Sequence, residues 1–301
     1  MSDFGLKGRT AVITGAGGGL GRTHALLFAK HGANVVVNDL GGKHDGSGKG
    51  SEMADQVVNE IKAMGGNAVA NYDSVSTEEG ATGIVQSALD AFGRIDILVN
   101  NAGILRDKSF VNMTDADWDL VFAVHVKGAY YCTKAAWGHM REQKYGRVVL
   151  TSSASGIYGN FGQTNYSAAK MALVGLGQTL ALEGDKHNIR VNMIAPVAAS
   201  RMTESLMPPF VLEKLKPECV SPLVVYLCSE GIDVNGELYE VGAGAISRIE
   251  SLRSAGLAMN PDEISVEAVA EAWTKINDMT DAKVLRSIAE STQATLAHCM
   301  G

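Results

Sequence analysis

The sequence has 301 residues, of which 46% are hydrophobic and 34 are glycine, and its formal net charge is -7. That composition can bury a substantial core and build many tight strand-to-helix turns. The negative balance argues against an electrostatic hold on nucleic acid or an anionic membrane, since both need clustered Lys and Arg. No apolar run approaches the length that spans a bilayer, and Met1 to Gly5 lacks a charged-then-apolar leader pattern. Cys132, Cys219, Cys228 and Cys299 show no metal-ligand spacing, so reduced thiols and no metal site are expected.

Short β-branched runs alternate with longer helical patterns as far as Gly244. The predicted strands are Thr10 to Thr14, Asn34 to Asp39, Ala68 to Tyr72, Ile97 to Asn100, Arg147 to Thr151, Arg190 to Ile194 and Leu238 to Val241. Most are apolar on both faces, as strands between two helix layers should be. The pattern predicts an α/β fold, a doubly wound parallel sheet in a single domain over residues 1–244.

The first strand ends in Thr14-Gly15-Ala16-Gly17-Gly18-Gly19-Leu20-Gly21 and runs into a helix from Arg22 to Lys30. Such a turn brings backbone N–H groups and a helix N-terminus up to a pyrophosphate. Asp39, at the end of the next strand, can accept from both hydroxyls of an adenosine ribose, and its charge repels a 2'-phosphate. NAD is therefore expected rather than NADP. Leu40 to Ser51, with five glycines and three charged residues, reads as an exposed loop near the ligand. Asp73 and Ser74 follow the third strand, where the adenine edge would lie, and Asn100-Asn101-Ala102-Gly103 follows the fourth, beside the cofactor cleft.

One helix is predicted from Asp117 to about Arg141, with Trp118, Val121, Phe122, His125 and Ala129 on one face. Ser153, at the end of the fifth strand, is followed thirteen residues later by Tyr166 and then by Lys170. Positions i and i+4 share a helix face, so the phenol and the ammonium point to one space. A nearby cation favours the phenolate, and Ser153 can hold a substrate oxygen as charge develops. The helix continues with Leu173, Leu176 and Leu180 inward. In the tail, 245–301, Ser265 can cap a helix carrying Val266, Val269, Ala270, Trp273 and Ile276. That stripe is expected to pack on the domain or on a neighbouring subunit.

Thr14 to Gly21, Asn100 to Gly103, Ser153, Tyr166 and Lys170 together resemble the short-chain dehydrogenases/reductases over about Gly8 to Gly244. Asn38 to Gly42, Thr151 to Lys170, Ser200 to Thr203, Leu215 to Glu218 and the tail are similar to the (3R)-hydroxyacyl-CoA dehydrogenase regions of peroxisomal multifunctional enzymes of type 2. The resemblance implies a Rossmann fold and NAD-dependent oxidation of (3R)-3-hydroxyacyl-CoA in fatty-acid β-oxidation. It makes Tyr166 the acid/base, Ser153 the donor to the substrate oxygen and Lys170 the residue that tunes Tyr166. It puts Gly15, Gly19, Leu20, Gly21, Asp39, Asp73, Ser74, Asn100, Ala198, Ala199, Ser200 and Arg201 at the cofactor, with Tyr166 and Lys170. Members of the family usually carry Asn in the helix before Val-x-Gly, where it helps relay protons. This chain has His125, which either relays protons or fills the place.

An acyl-CoA ester is the expected partner, with Lys43, Lys49, Arg106, Lys108 and Lys214 as candidates for its phosphates. A steroid or other secondary-alcohol dehydrogenase is the enzymatic alternative, and a non-catalytic NAD-sensing or scaffold protein is the alternative of another class. The family also implies a homodimer or tetramer, joined through the helices starting near Asp117 and Tyr166. The relatives continue into hydratase and sterol-carrier-like domains. A fragment of such a chain is expected in the peroxisome, and a stand-alone bacterial chain in the cytoplasm.

Overall fold

The computed structural model describes residues 4–198 and 213–296. Seven strands run in parallel: β1 (Thr10–Thr14), β2 (Asn34–Asn38), β3 (Asn67–Asn71), β4 (Ile97–Asn100), β5 (Gly146–Thr151), β6 (Ile189–Pro196) and β7 (Leu238–Gly242). With β8 (Ala245–Ile249) they form one sheet in the order β3-β2-β1-β4-β5-β6-β7-β8. The order reverses between β1 and β4, and ligands of doubly wound sheets bind in the crevice outside the strand ends at such a point. Every residue of β1, β4 and β5 is buried, which explains the apolar stretch at the centre of each.

The helices are α1 (Gly19–Lys30), α2 (Glu52–Ala63), α3 (Glu78–Phe92), α4 (Asp115–Phe122), α5 (Gly128–Gln143), α6 (Ala154–Tyr158), α7 (Thr164–Gly184) and α8 (Ser221–Leu227). Their apolar faces complete a core in which Phe28, Val57, Ile61 and Val224 cluster with Val35 and Val37 of β2. Removing such apolar surface from water, at about 25 cal/mol per Å², is the main favourable contribution to folding.

Three expectations are corrected here. The helix predicted from Asp117 to Arg141 is broken by a π-turn, Ala123–Lys127, between α4 and α5. Strand alternation continues past Gly244 into β8, where the mostly exposed Ala245–Ile249 lacks the apolar run that marks a buried strand. Strand β2 stops at Asn38, so Asp39 stands just beyond it.

The chain divides into two compact units between Arg248 and Ile249. Within the second, Leu252–Arg253 (β9) pairs antiparallel with Lys283–Val284 (β10). Helices α9 (Val266–Ile276) and α10 (Ile288–Leu296) complete it. Ser265 caps α9 as expected, accepting from the Ala268 N–H at 3.1 Å. No helix among the described residues is long and apolar enough to cross a membrane.

Candidate active site

The glycine-rich turn is shaped by close approach. A Cβ on Gly21 would stand 2.2 Å from the Gly15 oxygen, and Gly15 itself has φ +63. Helix α1 opens from Gly18 with no side-chain cap and no acidic residue in its first turn. An uncapped helix start presents its first N–H groups and the positive end of its dipole, which suits a diphosphate. Asp39 holds this turn from the other side: its carboxylate accepts from Gly17 N at 2.8 Å and from Gly41 N at 2.7 Å. An ionised carboxylate has about four acceptor positions, so two remain for ribose hydroxyls. The cradle thus fits a dinucleotide. Gly19 has φ +49 and open space where a side chain would be, and Leu20 beside it is half-buried against the core.

Other expected cofactor positions are partly committed to the fold. Asp73 accepts from Asn71 Nδ2 at 2.9 Å, and Ser74 Oγ pairs with Ser76 Oγ at 2.8 Å. Asn100, at the end of β4, donates its amide to Thr133 Oγ1 at 3.1 Å. Ala198 packs against the core. Ala199, Ser200 and Arg201 lie outside the described residues.

Ser153, Tyr166, Lys170 and His125 come together beyond β5. Ser153 follows that strand as the cap of α6, its Oγ accepting from Ser155 N at 3.2 Å. Tyr166 is on the first turn of α7, with the Ser153 hydroxyl near enough to lower its pKa. Burial pushes its phenol up to about 12; the Ser153 bond works the other way, and the Asp107 charge adds to the rise. Lys170, one turn on, has Nζ 5.4 Å from the Tyr166 ring centre and donates to the Thr151 oxygen at 2.6 Å. Burial lowers its ammonium to about 7.

His125 sits in the π-turn with its ring edge-on to Tyr166, centroids 5.3 Å apart. Its Nε2 lies 2.8 Å from the Ile104 oxygen and 3.1 Å from the Ile104 nitrogen. Burial, helped by the Lys170 charge, lowers its pKa to about 3, so the ring is neutral. Its Nδ1 and the Thr151 hydroxyl are buried without a hydrogen-bond partner. Both residues line a cavity about the size of one water, shared with Asn100 and Lys170.

Residues 9–208 match the short chain dehydrogenase family. The chain belongs to that family. A peroxisomal multifunctional enzyme A of Dictyostelium discoideum is 55% identical over 291 residues, covering 97% of this chain and 65% of the relative. A short-chain type dehydrogenase/reductase of Mycobacterium tuberculosis is 55% identical over 280 residues, covering 93% of this chain and 98% of the relative. Among solved structures, full-length peroxisomal multifunctional enzyme type 2 of Drosophila melanogaster aligns at TM-score 0.83 and 43% identity, over 97% of this chain and 49% of that one. A 7 alpha-hydroxysteroid dehydrogenase complexed with NADH and 7-oxo glycochenodeoxycholic acid aligns at TM-score 0.73 and 30% identity, over 80% and 96%. This short-chain dehydrogenase thus spans less than two thirds of the multifunctional relatives it matches. It is an oxidoreductase.

Several residues organise the dehydrogenase site through partners that their motifs do not reveal. Thr14 Oγ1 accepts from the backbone N–H of Asn101 and of Ala102, both at 3.0 Å, and Asn101 Nδ2 donates to the oxygens of Thr14 and Gly15. Asn165, fully buried, accepts from Tyr166 N at 2.7 Å and donates to the oxygens of Arg106 and Asp117. Thr14 and Asn101 belong to motifs already named, whereas Asn165 is signalled only by its place beside Tyr166. Of the five cations considered for phosphate, Arg106 is spent on Asp45 O at 2.7 Å and Asp117 Oδ1 at 3.3 Å. Lys43, Lys49, Lys108 and Lys214 are exposed.

Proposed function

We propose that this chain oxidises (3R)-3-hydroxyacyl-CoA to 3-oxoacyl-CoA with NAD, a step of fatty-acid β-oxidation. The observation that carries the reading is the convergence of Ser153, Tyr166 and Lys170 at the strand ends beside an uncapped α1. In this reading Ser153 donates to the alcohol oxygen, and Tyr166, as phenolate, takes the hydroxyl proton as the C3–H bond breaks. NAD, when bound, accepts the hydride. Lys170 holds the nicotinamide ribose and adds positive charge near the phenolate. Asp39, anchored by Gly17 and Gly41, supports NAD over NADP.

The ester and its (3R) hand rest on the likeness to the multifunctional enzymes, and so does a peroxisomal site of action; the likeness to a mycobacterial relative supports a cytoplasmic one. Association into a homodimer or tetramer through α4, α5 and α7 belongs to the same reading. The hydroxysteroid dehydrogenase likeness favours a second substrate class, steroids. The test is NADH formation from matched (3R)- and (3S)-3-hydroxyacyl-CoA and a hydroxysteroid, each with NAD and with NADP. Turnover confined to the (3R) ester with NAD is expected. Steroid turnover without ester turnover would move the assignment to the second class, and turnover of none would leave a non-catalytic NAD-binding protein.

A further inference from the structure

Gln163 stands at the start of α7, three residues before Tyr166, and is 8% exposed. Residues at that position ordinarily cap the first N–H groups of their helix, but Gln163 makes no such bond. Its amide is spent sideways. Oε1 accepts from Ser155 Oγ and from Asn160 Nδ2, both at 2.9 Å, and Nε2 donates to Asp107 Oδ2 at 2.8 Å. Ser155 in turn donates its backbone N–H to Ser153 Oγ at 3.2 Å. One buried amide therefore ties together the turn bearing Ser153, the turn leading into Tyr166, and the segment after β4.

We propose that Gln163 is a positioning residue that fixes Ser153 and Tyr166 relative to one another, with Asp107 as its anchor. This rests on the catalytic reading of those two residues. The Ser153–Tyr166 contact joins side chains thirteen residues apart on different helices, so α6 and α7 must be locked for it to persist. A side-chain network centred on one buried amide, with its partners satisfied, supplies that rigidity. Displacing reacting groups by about 1 Å costs on the order of 10²-fold in rate.

The test begins with Gln163→Leu in the full chain. We expect kcat for the (3R) ester to fall about 10- to 100-fold, in line with such a displacement, with KM for NAD nearly unchanged. Gln163→Glu sets a carboxylate against Asp107 and should also lose activity. Combining Gln163→Glu with Asp107→Asn exchanges amide and carboxylate while keeping an acceptor for Ser155 and Asn160, and should recover most of the loss. Wild-type kcat in Gln163→Leu would overturn the proposal, as would a double variant no better than Gln163→Glu alone. Hydrogen–deuterium exchange across residues 153–166 gives a readout independent of substrate. If the wild type turns over no ester, the functional reading has failed. Faster exchange in Gln163→Leu would then still support the positioning role, and unchanged exchange would overturn it.

Discussion

Burial works against the charged forms of both Tyr166 and Lys170, so the groups that oppose it set the working pH. The Ser153 hydrogen bond lowers the Tyr166 pKa, while Asp107 raises it. Alcohol oxidation needs the phenolate, so its rate rises with pH through the Tyr166 pKa. Removing the Ser153 bond raises that pKa; Ser153→Ala should therefore lower turnover and move the rising limb of kcat/KM to higher pH. An unmoved limb would take Ser153 out of the acid/base machinery. Tyr166→Phe removes the proton acceptor and should cost about 10²- to 10⁴-fold in turnover. NADH binding, followed by fluorescence, should persist, since the phenol hydroxyl is no part of the α1 cradle. At His125 the geometry favours placement over proton carriage, because Nε2 is tied to Ile104. A Cβ on Gly103 would stand 2.5 Å from His125 Cε1. Gly103→Ala should push the ring toward Tyr166 and lower kcat, and a kinetically silent variant would show that the ring's place does not matter.

At the scale of elements, the sheet was legible because each buried strand announces itself as an apolar run, and Asp39, Ser153, Tyr166 and Lys170 sit where their spacing to those runs placed them. What stayed hidden depends on partners distant in sequence. Helical periodicity shows that 115–143 is helical but not that its register slips at Ala123–Lys127, because one π-turn barely alters the apolar spacing. Yet that turn places His125 against Tyr166. Thr14 is equally silent: it reads as the last residue of a strand, while its hydroxyl joins β1 to the turn after β4 across the switch point. Thr14→Val keeps the shape and leaves the Asn101 and Ala102 N–H groups without that acceptor. An unpaired buried group costs about 1–3 kcal/mol. Thermal unfolding should reveal a loss of that order, with a higher KM for NAD as the glycine turn loosens. A KM that stays put while stability drops would mean that Asn101 alone holds the turn.

Across the whole molecule, proton linkage couples the core to pH. His24 on α1 is fully buried, with Nδ1 2.7 Å from Ser221 Oγ on α8, and burial lowers its pKa to about 3, as for His125. The ordinary histidine value is 6.5. Between 6.5 and about 3 the unfolded chain takes up protons that the folded chain refuses, so stability is fully present above 6.5 and falls as pH drops through that window. At about 1.36 kcal/mol per pH unit, each ring can remove on the order of 5 kcal/mol by the bottom of the window. Domain stabilities are about 5–15 kcal/mol, so two such rings are enough to make the protein acid-labile. Lys170, lowered from 10.5 to about 7, acts with the same sign in a higher window: its contribution is full above 10.5 and declines toward 7. His24→Asn keeps a polar partner for Ser221 and removes the titrating ring. Its thermal midpoint should therefore fall less steeply than the wild type's between pH 6.5 and 3, by the slope of one proton, while the Lys170 window is unchanged. Parallel profiles for the two proteins would show that His24 protonates without unfolding the α1–α8 contact.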